Sequence, residues 1–231
     1  MRIFHMFRSD FLSIVREPVI SLMALAPLFM VLAFKALIVF LLPLLPNFMH
    51  SYLDIMSYML VTLLLATPII MGVVMGFLML DDRDGGMIEL YYVTPLGESG
   101  YLLNRILFSF ITTSIYTCLN YAILGVYSIS LGRLIFIAGL CSLFAASVGL
   151  LFFALASDKI KGLTYAKGMN FFIVFAYSDL LGVRWFSYLS ALFPTFWLSS
   201  LIRGSFHYMP SLMVVLGWLA AMVYFTHKRG R

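Results

Sequence analysis

Charge is what this chain has least of. Asp, Glu, Lys and Arg make up 11% of its 231 residues, where a soluble domain carries about a quarter. With 63% of the residues hydrophobic, too little polar surface exists to face water on all sides. A soluble globular protein is excluded. Cysteine is nearly absent too. Cys118 and Cys141 lie in apolar runs, too few and too isolated for a disulfide framework or a metal cluster. They read as small packing residues. His5, His50, His207 and His227 stand far apart, and none has a partner at ligand spacing. No Gly-x-x-x-x-Gly-Lys-Ser/Thr is present, and Lys161-Gly162-Leu163-Thr164 and Lys167-Gly168 do not supply one. Without it the chain has no loop to cradle a nucleotide's phosphates. The net charge is +5, but no basic stripe with interleaved aromatics accompanies it, so no nucleic acid partner is expected. Internal repeats and low-complexity linkers are lacking as well. Residues 1–231 are expected to form a single transmembrane domain.

What the chain has is long apolar runs. A helix needs about 20 mostly apolar residues to cross the hydrocarbon. Four crossings are clear: residues 19–42, a span within 55–80, one within 106–132 and one within 134–157. The first run is too long for a signal-peptide core and has no small-residue cleavage site after it, so it is expected to stay as an anchor. Residues 163–182 make a fifth crossing if Lys167 and Asp179 snorkel to the interfaces, and about 209–226 make a sixth, ending at the cationic His227-Lys228-Arg229. The intervening stretch 184–203 has no charge in its interior, but Pro194 interrupts it. Irregular backbone at membrane depth needs protein or water to satisfy it. Two short re-entrant or interfacial helices on the outer face are therefore expected across 183–208.

Charge bias fixes the orientation. With six spans and a cytoplasmic N-terminus, the inner side holds Arg2, Arg8, Arg16, Arg83, Arg105, Lys159, Lys161, Lys167, Lys228, Arg229 and Arg231. The outer side holds only Arg133, Arg184 and Arg203. This is a strong positive-inside pattern and predicts a multi-pass cell-membrane protein with both termini cytoplasmic. Before the first span, Ile3, Phe4, Phe7, Phe11, Ile14 and Val15 recur at helical spacing, with Arg2, Arg8, Asp10 and Arg16 elsewhere. Residues 1–18 thus read as an amphipathic helix in the inner interface. Gly72 and Gly76 form a Gly-x-x-x-Gly pair in the second span, a mark of close helix packing.

Acidic charge on a positive-inside face calls for a reason. The loop after the second span, 81–98, holds Asp81, Asp82, Asp84, Glu89 and Glu98, half of the ten acidic residues. Gly85-Gly86 is expected to break the descending helix, and Pro95 to stop whatever follows. Between them Met87, Leu90, Tyr91 and Thr94 can share one face of a two-turn helix, a shape suited to docking another protein. A solvated loop that only caps two helix ends is the alternative.

At this loop the chain resembles the membrane subunits of type-2 ATP-binding-cassette (ABC) exporters. Those follow their second span with an acidic-Arg-acidic cluster, a glycine, a Leu/Ile-Glu-x-Leu core and a Ser/Thr-Pro pair. Here the elements read Asp82-Arg83-Asp84, Gly85-Gly86, Met87-Ile88-Glu89-Leu90, then Tyr91 and, further on, Thr94-Pro95. Glutamates are usual in the family where Asp82 and Asp84 stand, and a threonine where Gly86 does. The N-terminal helix, six spans and an outer pair containing Pro194 and closing at Arg203 also look like that family. The resemblance implies an all-α permease whose 81–100 segment sits in a groove of a cytoplasmic ABC ATPase subunit. ATP and Mg would then be bound on that partner and not in this chain. It further implies a second permease protomer, in a homo- or heterodimer whose first span lies near the partner's fifth, and a cargo among the drugs, peptides, lipids and glycan precursors that the family carries. Within the family the chain looks most like the small permeases linked to export of drug-like or amphipathic substrates.

Two rivals remain. Gly97-Glu98-Ser99-Gly100 mimics the motif of six-span intramembrane serine proteases, but its nearest downstream histidine, His207, falls on the outer side. A secondary transporter needs ionisable groups at mid-membrane. Lys35 is the one well-embedded charge, expected to snorkel outward, to line the translocation path, or to pair with Asp54 or Asp179.

Overall fold

Apolar runs in a bilayer must satisfy their backbone groups internally, which leaves the helix as the economical form. The computed structural model describes residues 10–40, 52–88, 97–125, 128–205 and 207–229, and among them there is no β-strand. Residues 10–16 are helical. They are followed by α1 (Pro18–Phe40), α2 (Tyr52–Asp84), α3 (Gly97–Leu124), α4 (Leu131–Leu155) and α5 (Lys159–Met169). A 3-10 segment, Asn170–Tyr177, leads to α6 (Ser178–Leu181), α7 (Arg184–Ser190), α8 (Pro194–Ile202) and α9 (Tyr208–Arg229). Five of these helices, α1, α2, α3, α4 and α9, are long and apolar enough to cross a membrane.

α2 is the axis of the bundle. Its most apolar window is 94% buried, against 17% for α1 and for α9, so those two present their apolar surface outward. α4 packs closely on α2 through glycines. A Cβ on Gly72 would lie 2.5 Å from the Ala145 carbonyl oxygen, and one on Gly149 would lie 2.8 Å from that of Gly72. The Gly-x-x-x-Gly expectation is met, with Gly149 as its counterpart on the facing helix.

The run expected as the fifth span, 163–182, is not one continuous α-helix. It divides into the end of α5, the 3-10 segment and α6. The cause is local and tertiary together. Asn170-Phe-Phe-Ile-Val-Phe is rich in aromatic and β-branched residues, which are weak helix formers. In addition, Thr195 Oγ1 donates to the Phe172 carbonyl at 2.7 Å, occupying an acceptor an α-helix would use. Phe172 and Phe175 also pack on Phe193, the latter pair stacked at 3.8 Å. Beyond this lie two short helices, as expected for 183–208, with Pro194 as the first residue of α8. There its missing N–H has no partner to lose.

At this end of the bundle Arg203 pairs with Asp179, donates to the Tyr58 hydroxyl at 3.0 Å and lies over the Tyr58 ring. Asp179 is thereby taken, and Lys35 does not pair with it. Instead Lys35 Nζ donates to the Ile123 carbonyl at 2.6 Å, capping the end of α3.

Candidate functional site

A helix C-terminus carries partial negative charge, which disfavours carboxylates there. α2 nevertheless ends Asp81-Asp82-Arg83-Asp84. Its neighbours supply the compensating cations. Asp82 pairs with Arg105 of α3 and accepts from the Tyr101 hydroxyl at 2.8 Å. Arg105 also pairs with Asp10 of the N-terminal helix at 2.6 Å. Lys159, at the start of α5, bridges Asp81 at 2.7 Å and Glu17 at 2.9 Å. Arg83 turns the other way and donates to the Ser157 carbonyl at 2.7 Å and the Ala156 carbonyl at 3.2 Å, just past α4. Three consecutive residues thus fasten the end of α2 to the N-terminal helix, the start of α3, the end of α4 and the start of α5.

The electrostatics follow from burial. Asp10 and Arg105 are 5% and 4% exposed. Two carboxylates face one guanidinium, and desolvation pushes the Asp10 carboxyl above its ordinary range although Arg105 beside it pulls the other way. Lys159 is half exposed, and its pKa is raised, chiefly by the hydrogen bond to Asp81 and further by that to Glu17.

After Asp84 the helix stops as the two glycines predict. The Gly85 N–H donates to the Asp81 carbonyl and the Gly86 N–H to the Arg83 carbonyl. Gly86 takes φ +68°, a left-handed backbone that favours glycine. Residues 87–88 are helical again. Met87 is exposed, while Ile88 packs on the cluster of Met75, Met79, Tyr101 and Leu150, as do Leu219, Met222 and Val223 near the end of α9. Glu89, Leu90, Tyr91, Thr94 and Pro95 lie outside the described residues. Of the expected docking positions, then, Asp82 and Arg83 face into the bundle, and Asp84 and Met87 face out. Lys35, Pro194 and Arg203 belong to the opposite end, as does His207, which stacks edge-on against Trp197. Ser99, two residues before Tyr101, is therefore a bundle length from His207, and the two do not form a catalytic pair.

Two features escape the sequence reading. One is the set of partners of the acidic segment: Asp10, Tyr101, Arg105 and Lys159. Their signal is depth, since the topology puts these charges at the same end as Asp81 and Asp82. The other is a polar column on α3. Ser109, Thr113, Thr117 and Asn120 are each no more than 1% exposed, and Asn120 Nδ2 donates to Thr67 Oγ1 at 2.9 Å. Among the described residues, the hydroxyls of Ser109, Thr113 and Thr117 have no hydrogen-bond partner. The recurrence of hydroxyl and amide side chains at 109, 113, 117 and 120 is visible in the sequence as helical spacing.

Residues 10–227 match the family described as "Fluoroquinolones export permease protein Rv2686c-like". Two curated relatives from Mycobacterium tuberculosis are the fluoroquinolones export permease proteins Rv2686c (strain ATCC 25618 / H37Rv) and MT2760 (strain CDC 1551 / Oshkosh). Each is 32% identical over 112 residues, covering 48% of this chain. The match spans 44% of each relative's own length, less than half. No solved structure matches the chain.

Proposed function

The chain belongs to the Rv2686c-like family of fluoroquinolones export permease proteins, and from that premise we propose that it is the membrane-spanning subunit of an ATP-driven exporter. It forms the translocation path and is moved by separate cytoplasmic ABC ATPase subunits, which bind ATP and Mg. The observation that carries this reading is the fastening of Asp81, Asp82 and Arg83 to four neighbouring elements. A segment that only joined two helices would need no such root. A force applied at Asp84 reaches the N-terminal helix, α3, α4 and α5 through these contacts.

The same reading gives six crossings. The eleven residues of α5 and the eight of the 3-10 segment rise about 16 Å each, because 3-10 backbone gains about 2 Å per residue. Together they match the roughly 30 Å hydrocarbon core. Both termini then lie in the cytoplasm, and α7 and α8 form the outer re-entrant pair, with Arg203 locking it to Asp179 and Tyr58. Two protomers assemble through the outward apolar faces. The cargo class is that of the relatives' name, fluoroquinolones or similar amphipathic aromatics.

Glu89→Lys tests the docking role, since it reverses the charge at the motif's central acid. The expected outcome is a protein that inserts normally but no longer co-purifies with its ATPase from native membranes. Co-purification with full ATP-dependent export in that variant counts against the assignment.

A further inference from the structure

The N-terminal helix, α1, α2 and α3 enclose a partly open cavity of about 280 Å³. Phe11, Ala24, Met71, Phe108 and Tyr116 are among its walls, and Thr112 lies between the last two along α3. A cavity of about 150 Å³ accepts one benzene, so this volume accommodates two fused six-membered rings. The aromatic walls come from two separate elements, and ring faces favour flat aromatic bodies.

The polar column runs beside this cavity. α3 presents Phe108, Thr112 and Tyr116 to it. The next residue on each turn, about 100° round the helix, is Ser109, Thr113 or Thr117, buried and without a hydrogen-bond partner among the described residues. Unmade bonds at membrane depth are costly and call for a partner. An apolar cavity flanked by idle hydroxyls is complementary to a molecule with an apolar body and polar substituents. An acyl chain has no use for the hydroxyls.

We propose that this cavity is an entry site, reached from the bilayer, for a small neutral amphiphile with a fused two-ring aromatic body and hydrogen-bonding substituents. Its rings lie between Phe11, Phe108 and Tyr116, and its polar substituents reach round α3 to the hydroxyls of Thr113 and Thr117, each one residue on from a lining residue. Its walls are fastened to the coupling root. Phe11 follows Asp10 directly, and Phe108 lies one turn beyond Arg105. That the occupant is export cargo rests on the reading above; that the cavity binds it does not.

The test uses the full chain alone in lipid nanodiscs, titrated with 2,6-dihydroxynaphthalene and read by the probe's own fluorescence. Saturable binding is expected. Ala24→Phe, which fills the cavity, should weaken it at least about tenfold, and Thr113→Val with Thr117→Val about fivefold, the loss of one net hydrogen bond. Ser21→Phe, at another point of the lining, replaces Ala24→Phe if that variant does not fold, with an unchanged melting temperature as the criterion. Absence of saturable binding overturns the proposal, as does unchanged affinity in the filled variant. Unchanged affinity in the double valine variant overturns the role of the hydroxyls. A phospholipid retained in native mass spectra, lost in the filled variant and not displaced by the probe, assigns the cavity to an acyl chain and also overturns it. No ATPase enters the measurement, so its failure leaves the export reading standing.

Discussion

Arg105 holds together two carboxylates from different elements in a nearly water-free setting. Removing one partner of a buried ion pair leaves the others uncompensated, typically at about 3–5 kcal/mol. Arg105→Gln is therefore expected to lower the melting temperature sharply in detergent or nanodiscs. Asp10→Asn should cost distinctly less, because burial already pushes that carboxyl towards its neutral form. Equal losses in the two variants would contradict this ordering. Lys159 gives a pH window. Its folded pKa is raised above the ordinary 10.5, so its contribution is complete below that value and is lost only as pH rises through the raised one. Being half exposed, the bridge contributes under about 1 kcal/mol. The melting-temperature gap between wild type and Lys159→Met should stay constant from neutral to mildly alkaline pH and close only in strong base.

At the scale of elements, the crossing of α2 and α4 has no room for side chains at its glycines. Gly149→Leu is expected to separate the two helices and reduce the yield of folded, monodisperse protein, since overpacking costs about 1–3 kcal/mol or more. Wild-type yield and stability in that variant would show the crossing to be looser than drawn. Much at this scale was legible beforehand because its causes are local. Apolar length gives the five long helices, Gly85-Gly86 the end of α2, Pro194 the start of α8, and Gly72 with Gly76 the close packing face. What was not legible depends on residues distant in sequence. The break in the fifth run needs Thr195 and Phe193 to reach Phe172 and Phe175. Asp82 reads as an outward docking charge until Tyr101 and Arg105 are seen to claim it. The α3 column is a different case: its spacing stands in the sequence, but the apolar residues around it make the span pass as ordinary.

For the molecule as a whole, α1 and α9 expose most of their apolar surface while α2 is enclosed, a distribution suited to lipid and to a second protomer outside a rigid centre. That centre ends in the Asp81-Asp82-Arg83 root, which on the proposed reading makes the chain a transmission as well as a path. The direct test is uptake of a fluorescent fluoroquinolone into inside-out vesicles holding this chain with its co-purified ATPase subunits. Uptake is predicted to require ATP, to vanish when the ATPase is inactivated, and to vanish in Glu89→Lys although the permease is still inserted. Concentrative uptake by the purified chain alone, without ATP or ATPase, would contradict the account.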